Sequence, residues 1–222
     1  MLVTSAAPRP AYHHGDLRKA LLAMATDLAR DRGPSAVTVR EAARRVGVSP
    51  SAAYRHFADQ LDLLRAVAAT ALQELAARMR AALAAVPRLD DPTLFALARF
   101  RAVGLAYVEF ALSSPGLFRT GYAPGVAPLP IEGGEADHPL LILAEMLDGL
   151  VAVGALAAEQ RKHAEVAAWS GVHGLAVLVL DGVLGDAAAD PQPLIDSTLD
   201  MIGIGLCAPA LLALKSAGSP SA

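Results

Sequence analysis

The sequence predicts an all-α protein of about nine helices, with a small N-terminal three-helix unit ahead of a larger helical bundle. Three observations carry this. Apolar residues recur at three- and four-residue spacing along most of the chain, and no alternating stretch competes as a strand. Two short helical segments between Thr38 and Phe57 each carry a start signal and meet at a glycine. Charge is also divided: residues 1–65 hold ten Lys/Arg against six Asp/Glu, and the remainder holds nine against sixteen.

In chain order, residues 1–11 read as a flexible arm. Arg9, between Pro8 and Pro10, suits a minor groove, against the simpler reading of a solvated tail. His13 and His14 have no Cys or carboxylate set to complete a metal sphere. A first helix is expected from Asp16 to about Arg32, where Leu17, Leu21, Met24, Ala25 and Leu28 form one stripe and Gly33-Pro34 ends it.

Thr38 and Glu41 then form a T-x-x-E capping box, in which each is expected to satisfy the other's free amide. The helix it opens buries Val39, Ala42, Ala43 and Val46, shows Arg40, Arg44 and Arg45, and stops at Gly47. Ser49 caps the next helix and Pro50 occupies its first position, so a second helix should run from Pro50 to about Phe57. Val48, Ala53 and Phe57 anchor it, leaving Ser51, Ala52, Tyr54, Arg55 and His56 outside. Two helices joined by a short glycine turn make a helix-turn-helix, whose second member reads a DNA major groove. The basic charge of this part of the chain suits a phosphate surface.

Asp59 caps a fourth helix with Leu61, Leu64, Val67, Ala68, Ala71, Leu72 and Leu75 on one side, ending near Ala85 before Pro87. With its flanks included, the motif resembles the N-terminal domain of the TetR family of transcriptional regulators. The residues that carry the resemblance are YHHGDLRKALLAMATDLARDRG, the capped pair and AYRHFADQLDLL, over residues 12 to 70. Further on, Trp169-Ser170-Gly171-Val172-His173-Gly174 resembles the Trp…His-Gly signature of one C-terminal subgroup. Many members of the family carry Lys where this chain has Gln60, and a hydroxyl residue is frequent where it has Ala52, so each position removes a potential backbone contact and leaves more of the DNA affinity to Arg40, Tyr54 and His56.

The resemblance implies an arm (1–11), a helix-turn-helix DNA-binding domain (12–58), a helical regulatory and dimerisation domain (59–214) and a disordered tail (215–222). It implies a homodimer on a palindromic double-stranded operator, responsive to a small-molecule effector. Thr38, Arg40, Ser49, Ser51, Ala52, Tyr54, Arg55 and His56 are the expected DNA-binding residues: Arg40 and Ser51 for base edges, with Arg55 third, and Tyr54, His56 and Thr38 for phosphates.

Beyond Ala85 the expected helices run from Pro92 to about Leu112, from Pro115 through Phe118 towards Tyr122, from about His138 to Gln160, from about Lys162 to Leu184, and from Pro191 to about Leu214. Ala123 to Asp137, with three prolines and three glycines, reads as a loop. Phe95, Phe100, Tyr107, Phe110, Phe118, Tyr122, Met146, Trp169 and His173 are the candidates for an apolar or aromatic effector pocket, against the plainer reading of ordinary core. Val166, Val177, Leu180, Leu199, Ile202 and Leu206 are candidates for the dimer interface, because the last two helices are more apolar than one bundle needs.

The chain has 222 residues and is 54% hydrophobic. Glu145, Asp148, His173 and Asp181 interrupt its apolar stretches, so no membrane span is expected, and the opening residues lack a secretory core. One cysteine, Cys207, allows no intrachain disulfide. A cytoplasmic location follows as the expectation, and three lysines beside abundant Ala and Arg fit a GC-rich bacterial genome. Glu109, Glu145, His163 with Glu165, and His173 with Asp181 are scattered carboxylates and histidines without triad or metal spacing. No enzyme, cofactor or metal is therefore expected. A helical ligand carrier with a vestigial DNA-binding module is the remaining alternative, and steep salt dependence of DNA binding would exclude it.

Overall fold

The computed structural model describes residues 14–126 and 138–207. Within them the chain forms nine α-helices and no strand: α1 (His14–Arg32), α2 (Val39–Val46), α3 (Pro50–Tyr54), α4 (Gln60–Ala85), α5 (Pro92–Ser113), α6 (Pro115–Gly121), α7 (Pro139–Ala152), α8 (Ala164–Leu180) and α9 (Gln192–Cys207). Short 3-10 turns occupy Pro34–Ala36, Ala158–His163 and Gly185–Ala188. Arg9 and His13, residues 127–137 of the expected loop, Leu211 with the expected end of the last helix at Leu214, and the tail 215–222 lie outside the described residues.

Local chemistry sets most boundaries. The side chains of Thr38, Ser49, Asp59 and Asp91 each accept an amide from the first turn of the helix that follows. Gly47 closes α2 at φ 80°, a conformation in which a side chain would be strained.

Four expectations need correction. α1 begins two residues early, at His14. α3 ends at Tyr54 instead of Phe57: the Arg55 and His56 amides close tight turns onto the Ala52 and Ala53 carbonyls, and Phe57 drops into the core, fully buried. The helix expected from His138 to Gln160 stops at Ala152, because Gly154 turns the chain at φ 73° and the Ala155 and Leu156 amides return to the Leu150 carbonyl. The next helix is confined to Ala164–Leu180, between a 3-10 turn and the positive-φ Gly182.

Among the described residues one stretch, Ala158–Leu180, is long and apolar enough to cross a membrane by length and composition alone, a measure that the core helix of a soluble protein also meets. Within that stretch Arg161 is paired with Asp148 at 2.6 Å and with Glu165. The large apolar side chains the stretch leaves exposed are Val166 and Leu178.

One hydrophobic core is continuous from Leu17 on α1 to Leu199 on α9. Leu63, Leu75 and Met79 line the side of α4 facing it, while Phe110, Leu117, Leu147 and Leu150 fill the bundle behind, all at 2% exposure or less. α4 therefore belongs to both packings: it meets α1 in the N-terminal unit and α5, α6 and α7 in the bundle. Fully burying a side chain of this size contributes about 1.5–3 kcal/mol.

Candidate nucleic-acid interface and ligand cavity

The exposed face of the helix-turn-helix is set by what lies under it. Ala42, Ala43, Ala53 and Phe57 are fully buried, and the Arg18 guanidinium covers the Phe57 ring at 4.8 Å. This places Arg40, Ser49, Ser51, Tyr54 and Arg55 outward, with Thr38, Ala52 and His56 half-buried beside them. All eight candidate DNA-binding residues thus lie on α2, α3 and their flanking turns.

Thr38 Oγ1 accepts the Glu41 amide at 3.1 Å and Ser49 Oγ accepts the Ala52 amide at 3.2 Å. Each hydroxyl keeps its own proton for an outside acceptor such as a phosphate oxygen. The reciprocal half of the capping box is replaced. The Glu41 carboxylate turns to Arg44 Nε at 2.8 Å, Arg44 Nη2 at 2.7 Å and Arg45 Nε at 3.0 Å. Those two arginines, Arg44 first, hold its carboxyl down at about 2. The pairing follows from i, i+3 and i, i+4 spacing on α2. Arg40, on the same helix, forms no ion pair with any described residue, so its charge faces outward uncompensated.

The second site is a cavity of about 40 Å³ between α4, α5, α7, α8 and α9. Its walls include four of the expected residues, Phe100, Tyr107, Tyr122 and Trp169. Phe118 and His173 sit behind that wall, their rings 5.3 Å apart. Phe95, Phe110 and Met146 lie elsewhere: Arg99 covers Phe95 at 5.8 Å, Arg78 covers Phe110 at 5.0 Å, and Met146 is buried in the core. Composition marks aromatics, and only the crossing of helices decides which rings share a wall. Met79, Arg101, His138, Leu140 and Leu143 also line the cavity. His138 carried a usable signal, an N-cap position beside the aromatic cluster, but none marked Met79 or Arg101.

Tyr107 is the hub of the wall. Its hydroxyl accepts from Trp169 Nε1 at 2.9 Å and meets His173 Nδ1 at 2.8 Å, and its ring packs edge-on against Phe118 at 5.8 Å. Burial pushes the Tyr107 phenol far above its ordinary value and that of Tyr122 up to about 12. Burial lowers His138 and His173, so both favour the neutral imidazole. Arg101 is engaged by Asp196 at 2.5 Å and Asp200 at 3.5 Å.

The helix α6 joins the cavity wall to α1. Tyr122, its C-cap, is in the cavity wall, while a Cβ on Gly116 would fall on the carbonyl oxygens of Ala29 and Arg30 at the end of α1. Arg30 reaches Glu74 on α4 at 3.3 Å; Glu74 also holds Arg78, which reaches Ser113 at 2.7 Å. On the other side Arg119 binds Asp181 at 2.5 Å.

The interface candidates divide. Val166 is 62% exposed, while Val177, Leu180, Ile202 and Leu206 are half-buried. Leu199 turns inward at 7% exposure, its Cδ2 2.6 Å from where a Gly104 Cβ would stand, and Ile202 packs likewise over Gly171. The outer face of α9 instead shows Met201 and Ile204, 72% and 64% exposed, with Leu178 exposed on α8.

Residues 21–67 match the family model "Bacterial regulatory proteins, tetR family", and residues 100–202 match "Tetracyclin repressor-like, C-terminal domain". A Rhodococcus sp. RHA1 protein of unknown function is 29% identical, with a TM-score of 0.70 over 90% of this chain and 100% of its own. TetR from Acinetobacter baumannii AYE is similar in fold at 19% identity, with a TM-score of 0.60 over 88% and 96% of the two chains. A variant of that regulator in complex with minocycline has a TM-score of 0.55 at the same identity and coverage. No curated protein matches the chain.

Proposed function

The chain belongs to the TetR family of transcriptional regulators, and from that premise we propose that it is a ligand-responsive repressor acting as a cytoplasmic homodimer on a palindromic operator. In this reading residues 12–58 bind DNA and residues 59–214 bind effector and partner. Arg40, Ser51 and Arg55 read base edges, and Thr38, Tyr54 and His56 hold phosphates. A small apolar or aromatic effector enters the cavity and releases the operator. The minocycline complex of the Acinetobacter regulator supports a ligand site in such a bundle.

One observation carries the coupling: α6 contributes Tyr122 to the cavity wall and lays Gly116 on the last turn of α1. At about 40 Å³ the cavity holds only a few waters, whereas sites for drug-sized ligands run to roughly 300–1,000 Å³. A ligand that fills it must move a wall, and a wall that includes the end of α6 moves against the DNA-binding unit. To shift the equilibrium the effector must bind the released state better, by about 1.4 kcal/mol for each tenfold loss of operator affinity.

Selection of bound duplexes from a random pool tests this. Enrichment of one inverted repeat with half-sites about 34–36 Å apart, or a multiple of that, is expected. No enrichment over background at moderate salt would overturn it.

A further inference from the structure

The polar groups of the cavity wall specify more than an apolar ligand. Arg101 brings a charge, but Asp196 at 2.5 Å and Asp200 at 3.5 Å already neutralise it. No carboxylate lines the cavity among the described residues. A charged ligand would leave water without a counter-charge, at high cost. The Tyr107 hydroxyl is taken on two sides, by Trp169 Nε1 and His173 Nδ1.

His138 is different. It caps α7, and its Nδ1 accepts the Leu140 amide at 3.2 Å. An Nδ1 that accepts carries no proton, so the neutral ring holds its proton on Nε2. Burial favours that neutral ring. Nε2 has no hydrogen-bond partner among the described residues, and the side chain lines the cavity. The cap therefore fixes a single N–H donor at the edge of an apolar space.

We propose that the cavity takes a neutral, largely apolar ligand bearing one hydrogen-bond acceptor of the carbonyl type, received by the Nε2–H of His138. This rests on the effector reading above and narrows it to a chemical class. The acceptor end of the ligand lies at the start of α7, and its apolar body runs against Trp169 and Leu140. A site built to donate one hydrogen bond disfavours analogues that cannot accept it.

The test uses the full-length protein and four monocyclic probes: acetophenone, its planar isostere α-methylstyrene, benzoate and benzylammonium, titrated by calorimetry. Acetophenone should bind more tightly than either ion. His138→Ser keeps an N-cap oxygen for α7 and removes the reaching donor. In that variant the ratio of the acetophenone to the α-methylstyrene constant should fall about tenfold, the worth of one neutral hydrogen bond. A parallel measurement needs no variant: in ¹⁵N-histidine spectra of the natural protein, acetophenone should shift the His138 Nε2–H signal and α-methylstyrene should leave it in place.

An unchanged ratio, a signal that ignores acetophenone, ions that bind as well as the ketone, or no binding of acetophenone up to its solubility limit would each overturn the proposal. Operator release is a separate readout. Probes that obey the His138 rule without releasing DNA would leave this inference standing and sink the effector reading instead.

Discussion

Gly116 on α6 and Ala29 on α1 approach so closely that a Cβ at position 116 would land on the Ala29 carbonyl oxygen. Backbone on backbone leaves no flexible end to yield, so Gly116→Ala must separate the two helices. Overpacking of this kind costs about 1–3 kcal/mol, to be read as a lowered urea midpoint. Because α6 also carries Tyr122 into the cavity wall, the variant should bind effector with nearly unchanged affinity yet release operator less completely. Full release by the variant would show that α6 is not the link.

The Arg40 prediction separates reading from holding. Its guanidinium is exposed and has no ion-pair partner among the described residues, whereas its neighbours Arg44 and Arg45 are tied to Glu41. Arg40→Ala should relax preference at one base position by about 1–3 kcal/mol when variant and natural protein select from the same duplex pool. A uniform loss across all sequences would reassign Arg40 to the phosphate backbone.

Glu41 restrains the basic face. Freed by Glu41→Gln, Arg44 and Arg45 become available to phosphates. Non-specific affinity should rise, and the slope of log K against log salt should steepen by about 0.9 for each new contact. The same carboxylate gives a pH signature. Its folded value of about 2 lies below the ordinary 4.5, so its contribution to stability is full above pH 4.5 and lost as pH falls towards 2. In urea titrations the gap between variant and natural protein should therefore close across that window.

The helix caps were legible because they are local. Thr38, Ser49, Asp59 and Asp91 announce helix starts within three residues. Glu41, expected to reach back to Thr38, turns instead to Arg44 and Arg45, which stand at the competing i, i+3 and i, i+4 spacing. What escaped the sequence depends on tertiary placement. Gly154 and Gly182 fall inside the helices expected over His138–Gln160 and Lys162–Leu184, and it is their positive φ in the fold that breaks both. Phe110 and Tyr107 sit three residues apart on one helix, yet one lies under Arg78 and the other at the cavity, because α5 has partners on several sides. Leu199 and Met201 are equally apolar in sequence but point to opposite sides of α9, and the fold sets Leu199 against Gly104 on α5 and leaves Met201 outside.

The two depressed imidazoles predict a weakening in mild acid. His138 and His173 are both lowered by burial from their ordinary value of 6.5, so the stability they contribute is full above pH 6.5 and is lost as pH falls through their folded values. His173→Phe keeps a ring against Phe118, Tyr122 and Trp169 but removes the titrating group. Urea midpoints at pH 7.5 and pH 5.0 should differ less for the variant than for the natural protein. An equal loss in both would place the acid sensitivity elsewhere.

The exposed face of α9 gives the sharpest test of assembly, because inward and outward leucine-like residues alternate there. Met201 and Ile204 point out at 72% and 64% exposure, while Leu199 points in at 7%. If two copies join through this face, Met201→Asp combined with Ile204→Asp places charge in the interface and leaves each chain's core intact. Sedimentation should then show monomers with a normal helical spectrum, and selected DNA should collapse from an inverted repeat to single half-sites. Leu199→Ala makes the opposite change: it opens a void beside Gly104 and should cost about 2–5 kcal/mol of chain stability. Its remaining folded fraction should still dimerise. Were the double aspartate variant to stay dimeric, the interface would have to lie elsewhere, and the apolar surface of α8 around Val166 and Leu178 would be the next place to introduce charge.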